Sequence, residues 1–261
     1  MMNEAFNCVT ELCKKYNIDE SHGVRHSMEV LKFAEDIFCS EVQKNLYIKS
    51  QKNIIIVASI IHDMVDHKYV KDQQEAILYI KNKLKECLTK IELDTVINII
   101  TTMSYSKVQL NGYPDLGDYQ LAYHIVREAD LLASYDINRC IIYSMCNKDK
   151  SYTDAFDEAK VLLNIRLMKY RNDKLFVTDY GRIKSIELHV KYCSGIFSTG
   201  EDVDFTSCIC HKDLCSECVE DRYWGGVGDC KNKYCRKFTC NCNRFNCKYC
   251  FRTTFCDVCG K

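Results

Sequence analysis

The chain has 261 residues, 47% hydrophobic and 28% charged, a balance that excludes a disordered polymer and suffices for one large domain or two small ones. Its 36 basic and 36 acidic side chains leave a formal net charge of zero, which excludes a whole-chain electrostatic pull toward nucleic acid or membrane. No run approaches the roughly 18–20 consecutive apolar residues of a membrane span. The opening "MMNEAFNCVTELCKKYN" carries Glu4 and Glu11 where a signal peptide would be apolar, so an intracellular, cytoplasmic protein without membrane partners is expected.

In chain order, apolar residues at helical spacing predict helices over 3–16, 21–43, 51–66, 72–89, 92–103, 117–147, 152–171 and 178–194. Breaks fall at "NIDES", "DHKYVKD", the loop "SKVQLNGYPDLGD" with the single proline Pro114, and "NKDKSYTD". No alternating strand pattern stands out, which makes residues 1–195 an all-α domain. Residues 196–207 read as a linker. Beyond it, from 208 to 261, cysteine replaces the long apolar runs as the organising residue. Seven of the 19 cysteines are scattered over the first 193 residues, where they read as small core side chains.

Within the helical part, "IIHDMVDH" sets His62 and Asp63 directly after a wholly apolar run, and Asp66 one turn further on. Charged groups at such a place are costly without partners. "SHGVRHSMEV" offers His26, with His22 a turn earlier, and "VREADLLASYD" offers Asp130 on a long predicted helix. Two imidazoles and two carboxylates form a mixed N/O set suited to Mn²⁺, Fe²⁺, Co²⁺, Ni²⁺ or Mg²⁺. Such an ion acts as a Lewis acid toward phosphoryl oxygen and lowers the pKa of water. His67, His124 and His189 read as ordinary turn or helix histidines.

These motifs resemble the HD-domain metal-dependent phosphohydrolases, and most closely the small bacterial members that act on nucleotides. The family pattern H-D-x-x-H-x-x-R-V reads here as "HGVRHSMEV", and A-x-x-x-H-D-x-x-D is met by "ASIIHDMVD". "MSYSK" stands for a loop resembling I-S-F-S-K, "IVREADLLAS" for I-V-x-D-A-D-x-L-D-A, and "TDYGRIKSIELH" for a terminal T-x-x-G-R helix. The resemblance covers about residues 1–193. It implies an HD-domain helical bundle with His26, His62, Asp63 and Asp130 as metal ligands. It also implies Asp66 as the carboxylate handling a proton or water; Lys107 reads as a phosphate contact or a solvated loop lysine, and His22 as a contact to a phosphate-containing substrate or a solvated helix-start residue. Departures occur at Gly23 (Asp in the family), Glu29 (Arg) and Ala133 (Asp), leaving the four ligands in place.

The tail holds twelve cysteines, enough for three four-thiolate zinc sites: Cys208, Cys210, Cys215, Cys218; Cys230, Cys235, Cys240, Cys242; and Cys247, Cys250, Cys256, Cys259. That sequential grouping is the simplest; a cross-brace, or His211 in place of a cysteine, stays open. "CICHKDLCSEC" and "CNCNRFNCKYC" repeat the spacing C-x-C-x4-C-x2-C, and the second half loosely resembles in-between-RING zinc modules. With few large apolar residues, this small irregular domain is expected to depend on zinc for its fold. Residues 230–261 hold eight Lys/Arg against one acid, a pattern open to nucleic acid, although thiolate-bound zinc would offset much of that charge.

Two functions follow. The first is a metal-dependent phosphohydrolase of nucleotides or related phosphate esters and anhydrides, with the zinc tail serving targeting or regulation. The alternative is a zinc adaptor that binds nucleic acid or protein and carries a weakly active or inactive HD scaffold.

Overall fold

The computed structural model describes residues 1–172 and 174–197, apart from the side chains of 167–169, 171, 172 and 193–197. The tail cysteines from Cys208 to Cys259, and the linker beyond residue 197, lie outside the described residues. Met1–Tyr192 form one compact unit. Among the described residues there are ten α-helices and no strand, and no helix is long and apolar enough to cross a membrane.

Helix α1 (Met2–Tyr16) buries Ala5, Cys8, Val9 and Leu12, one stripe at helical spacing. It stops at Asn17, whose left-handed φ of 52° lets its N–H reach the Cys13 carbonyl. Helix α2 (Val24–Glu41) buries His26 and Ser27 in phase with Val30, Leu31, Ala34, Ile37 and Phe38, so the histidine faces the core. The central helix α3 (Lys52–Ile61) is buried at every position from Ile54 to Ile61, because α1, α2, α5 (Lys90–Thr102) and α7 (Gln120–Ala133) pack around it. Burying each of its isoleucines contributes about 1.5–3 kcal/mol. Helix α4 (Gln73–Leu84) packs on α1 and α5, and Asp72 caps its start by accepting the Glu75 N–H. In α5 the run "TKIE" forms a capping box between Thr89 and Glu92.

Three sequence boundaries are corrected. The helix expected over 51–66 ends at Ile61, and His62–Val65 continue as turns closed by Met64 N–H to Ile61 O and Asp66 N–H to Asp63 O. The loop after Met103 contains α6 (Tyr105–Asn111), which ends where Gly112 takes a φ of 74°. The single helix expected over 117–147 is two: α7, then α8 (Ile137–Lys148). Ser134 bonds the Leu131 carbonyl and the Tyr170 hydroxyl, while Asp136 accepts the Asn138 N–H and starts the new helix.

Helices α9 (Tyr152–Asn172) and α10 (Asp179–Phe197) complete the described chain, α9 packing against α8. The expected domain end at residue 195 falls inside α10. Of the scattered cysteines, Cys8 and Cys140 are core residues as expected, whereas Cys39 and Cys146 are exposed. Burial pushes the Cys8 thiol up to about 12.

Candidate metal centre

Three elements converge at the buried end of α3. His26 comes from the first turn of α2, His62 and Asp63 from the turn that ends α3, and Asp130 from α7. The Nε2 atoms of His26 and His62 face each other at 3.0 Å, with ring planes inclined by 73°. Asp130 Oδ1 lies 3.3 Å from His26 Nε2 and 3.6 Å from His62 Nε2. Asp63 Oδ2 lies 3.4 Å and 3.1 Å from the same two nitrogens. One donor atom from each of His26, His62 and Asp130 falls within a mutual 4.8 Å, close enough to share an ion, and Asp63 stands against both histidines.

Hydrogen bonding around the cluster suits that use. His62 Nδ1 donates to the Ser59 carbonyl at 2.9 Å, which fixes the hydrogen on Nδ1 and turns the Nε2 lone pair toward the cluster when the ring is neutral. Asp63 Oδ2 is buried and, despite its nearness to the imidazoles, has no aligned hydrogen bond among the described residues. A buried carboxylate oxygen costs free energy unless something compensates it. A buried carboxylate oxygen beside two convergent imidazole nitrogens fits a positive charge held between them, a proton or a metal ion.

The electrostatics agree. Burial opposes charging His62, yet the Asp63 and Asp130 carboxylates outweigh it and raise the imidazole to about 10. Burial likewise works against ionised Asp63 and Asp130, but the histidines hold both carboxyls well below the ordinary carboxylate range. The cluster therefore attracts positive charge strongly.

The remaining expected residues lie in different settings. Asp66 Oδ1 accepts the Lys68 N–H at 2.9 Å and stands 3.3 Å from His67 Nδ1, with Oδ2 3.4 Å from Lys68 Nζ, so its carboxylate is engaged within its own turn. Lys107 lies on α6, where a loop was expected, and its ammonium donates to the Thr101 carbonyl at 2.7 Å, satisfying the end of α5. His22 borders the cluster: its ring is 6.3 Å from His26, and Nδ1 pairs with the Ser21 hydroxyl at 2.6 Å and the Tyr69 hydroxyl at 3.0 Å. Burial holds His22 down at about 4.

Sequence reasoning missed Arg139. Its Nε donates to the Ser21 carbonyl at 2.7 Å, Nη2 stands 3.7 Å from Asp63 Oδ2, and Nη1 stands 3.8 Å from Asp130 Oδ1. A single helix over 117–147 gives Arg139 no reason to return to Asp130; the turn at Ser134–Asp136 supplies it.

Behind the site, Glu128 ties α7 to α10. Its carboxylate accepts the N–H groups of Val177 (2.5 Å) and Thr178 (3.1 Å) and the Thr178 hydroxyl (2.5 Å). Thr178 Oγ1 in turn accepts the Gly181 N–H at 3.0 Å. A Cβ at Gly181 would overlap Glu128 Oε2, so the glycine in "TDYGR" leaves room for this junction.

Compared with family models, curated proteins and solved structures, the chain matches none of them.

Proposed function

We propose that the chain is a metal-dependent phosphohydrolase acting on nucleotides or related phosphate esters and anhydrides. One observation carries the reading: His26, His62, Asp63 and Asp130, drawn from three separate helical segments, bring their donor atoms within 3.0–3.6 Å of one another across the two imidazoles. A divalent ion held there would supply Lewis-acid polarisation of a phosphoryl oxygen and activation of water. The chain's own contributions are definite. Ser59 orients His62, the burial of α2 and α3 excludes bulk water from both histidines, and Asp66 is the carboxylate proposed to carry the proton. Lys107 gives one of its three N–H donors to the Thr101 carbonyl, and its proposed phosphate contact is a separate point for the nucleotide panel.

For the tail we propose about three structural zinc ions on its twelve cysteines, at four thiolates each, in a module for targeting or regulation. Elemental analysis of the purified chain checks the zinc number. The enzymatic reading is tested by phosphate release from a nucleotide panel with Mn²⁺, Co²⁺, Ni²⁺ and Mg²⁺, comparing wild type with Asp63→Ala. Release that depends on added metal and vanishes in the variant supports it; no release from any nucleotide contradicts it.

A further inference from the structure

We infer that Arg139 is an anion-binding residue of the metal centre, through which metal and a substrate phosphate strengthen each other's binding. The inference rests on the phosphohydrolase reading and adds a residue that the sequence motifs do not contain.

Arg139 sits in the first turn of α8 with its side chain only 15% exposed. One donor is committed: Nε holds the Ser21 carbonyl at 2.7 Å, which anchors the guanidinium plane. The two terminal nitrogens stand 3.7 Å from Asp63 Oδ2 and 3.8 Å from Asp130 Oδ1, beyond hydrogen-bond range. They touch both carboxylates by charge alone, and their N–H groups stay available to another acceptor.

Charge balance shows what that acceptor is. Asp63 and Asp130 together carry two negative charges, and with neutral imidazoles a divalent ion would cancel them. Arg139 would then be left with an uncompensated positive charge at 15% exposure, a costly state. Glu29 also feels the Arg139 charge, but it is shared with Arg25. A planar fork beside a cation suits the oxygens of a phosphoryl group, which Arg engages with two parallel bonds. Without an anion, Arg139 repels the metal. An anion bound between them attracts both and outweighs that repulsion. Linkage makes the effect reciprocal: phosphate tightens metal binding by the factor by which metal tightens phosphate binding.

The experiment uses the full chain and follows free Mn²⁺ by its paramagnetic resonance as inorganic phosphate is raised, taking the signal lost in Asp63→Ala as binding at this centre. In wild type, phosphate should tighten Mn²⁺ about tenfold. In Arg139→Gln, Mn²⁺ alone should bind more tightly than in wild type, and the phosphate effect should disappear. Should the glutamine variant not fold, Arg139→Lys keeps the charge without the fork, and the phosphate effect should shrink but stay measurable. A phosphate effect equal to the wild type's in either variant, or no phosphate effect in wild type, overturns the inference and leaves the metal centre standing. Equal Mn²⁺ binding by wild type and Asp63→Ala overturns the metal reading and this inference with it.

Discussion

His26 and His62 bring their Nε2 atoms to 3.0 Å, a separation at which two lone pairs repel unless a proton or a cation lies between them. In the absence of metal a proton serves. Burial works against it, but Asp63 and Asp130 raise His62 to about 10. At pH 7 the metal-free centre therefore holds that proton, and Mn²⁺ binding should expel about one per chain. Calorimetric titrations in buffers of different ionisation enthalpy should show this as a linear dependence of the observed heat; heats independent of buffer would contradict it. The same shift fixes a sign for stability. The folded pKa lies above the unfolded one, so the contribution is complete below about 6.5 and is lost as pH rises through about 10.

Acid should destabilise the fold through histidines buried neutral. Burial holds both His22 and His124 down at about 4. The unfolded chain then takes up protons first as pH falls below about 6.5, and stability drops between there and about 4. His124→Gln, which can still pair with Gln120, should flatten this slope without touching the metal ligands. Urea midpoints measured from pH 7 to 4 check it, and an unchanged slope would count against the assignment.

Glu128 joins α7 to the start of α10, and truncating it strands the N–H of the buried Thr178 and removes the partner of the Val177 N–H beside it. Glu128→Ala should cost about 2–3 kcal/mol of stability. Gly181→Ala should weaken the same junction by pushing a Cβ into the Glu128 carboxylate. Denaturant titration measures both variants.

Asp66→Asn isolates proton handling from structure. The amide oxygen can still accept the Lys68 N–H that Asp66 Oδ1 accepts at 2.9 Å, so the turn is kept. Turnover should fall about a hundredfold while Mn²⁺ affinity stays unchanged. An unaltered rate would remove Asp66 from the mechanism and make it a turn residue.

Much of this architecture is legible in the sequence because periodicity reports burial directly. His26 lies in register with Val30, Ala34 and Ile37, and "IIIVASII" marks α3 as central before any coordinate is seen. What escapes are features set by side-chain bonds at element ends. Ser134 and Asp136 break an apolar pattern that continues on both sides, and without that break Arg139 cannot be placed beside Asp63. Lys107 shows a contact that its motif position does not announce: one of its three N–H donors meets the Thr101 carbonyl at the end of α5. The setting of Asp66 also depends on an element end, since the helix stops at Ile61 and turns lead into Asp66.

The central claim is that His26, His62, Asp63 and Asp130 hold one divalent ion, and the most direct measurement is anomalous diffraction from a Mn²⁺-soaked crystal. The account predicts a single strong manganese peak bounded by the two Nε2 atoms and the Asp63 and Asp130 carboxylates, absent in crystals of Asp63→Ala. Manganese bound elsewhere with no peak among these four side chains, under conditions that saturate the protein in solution, would contradict it.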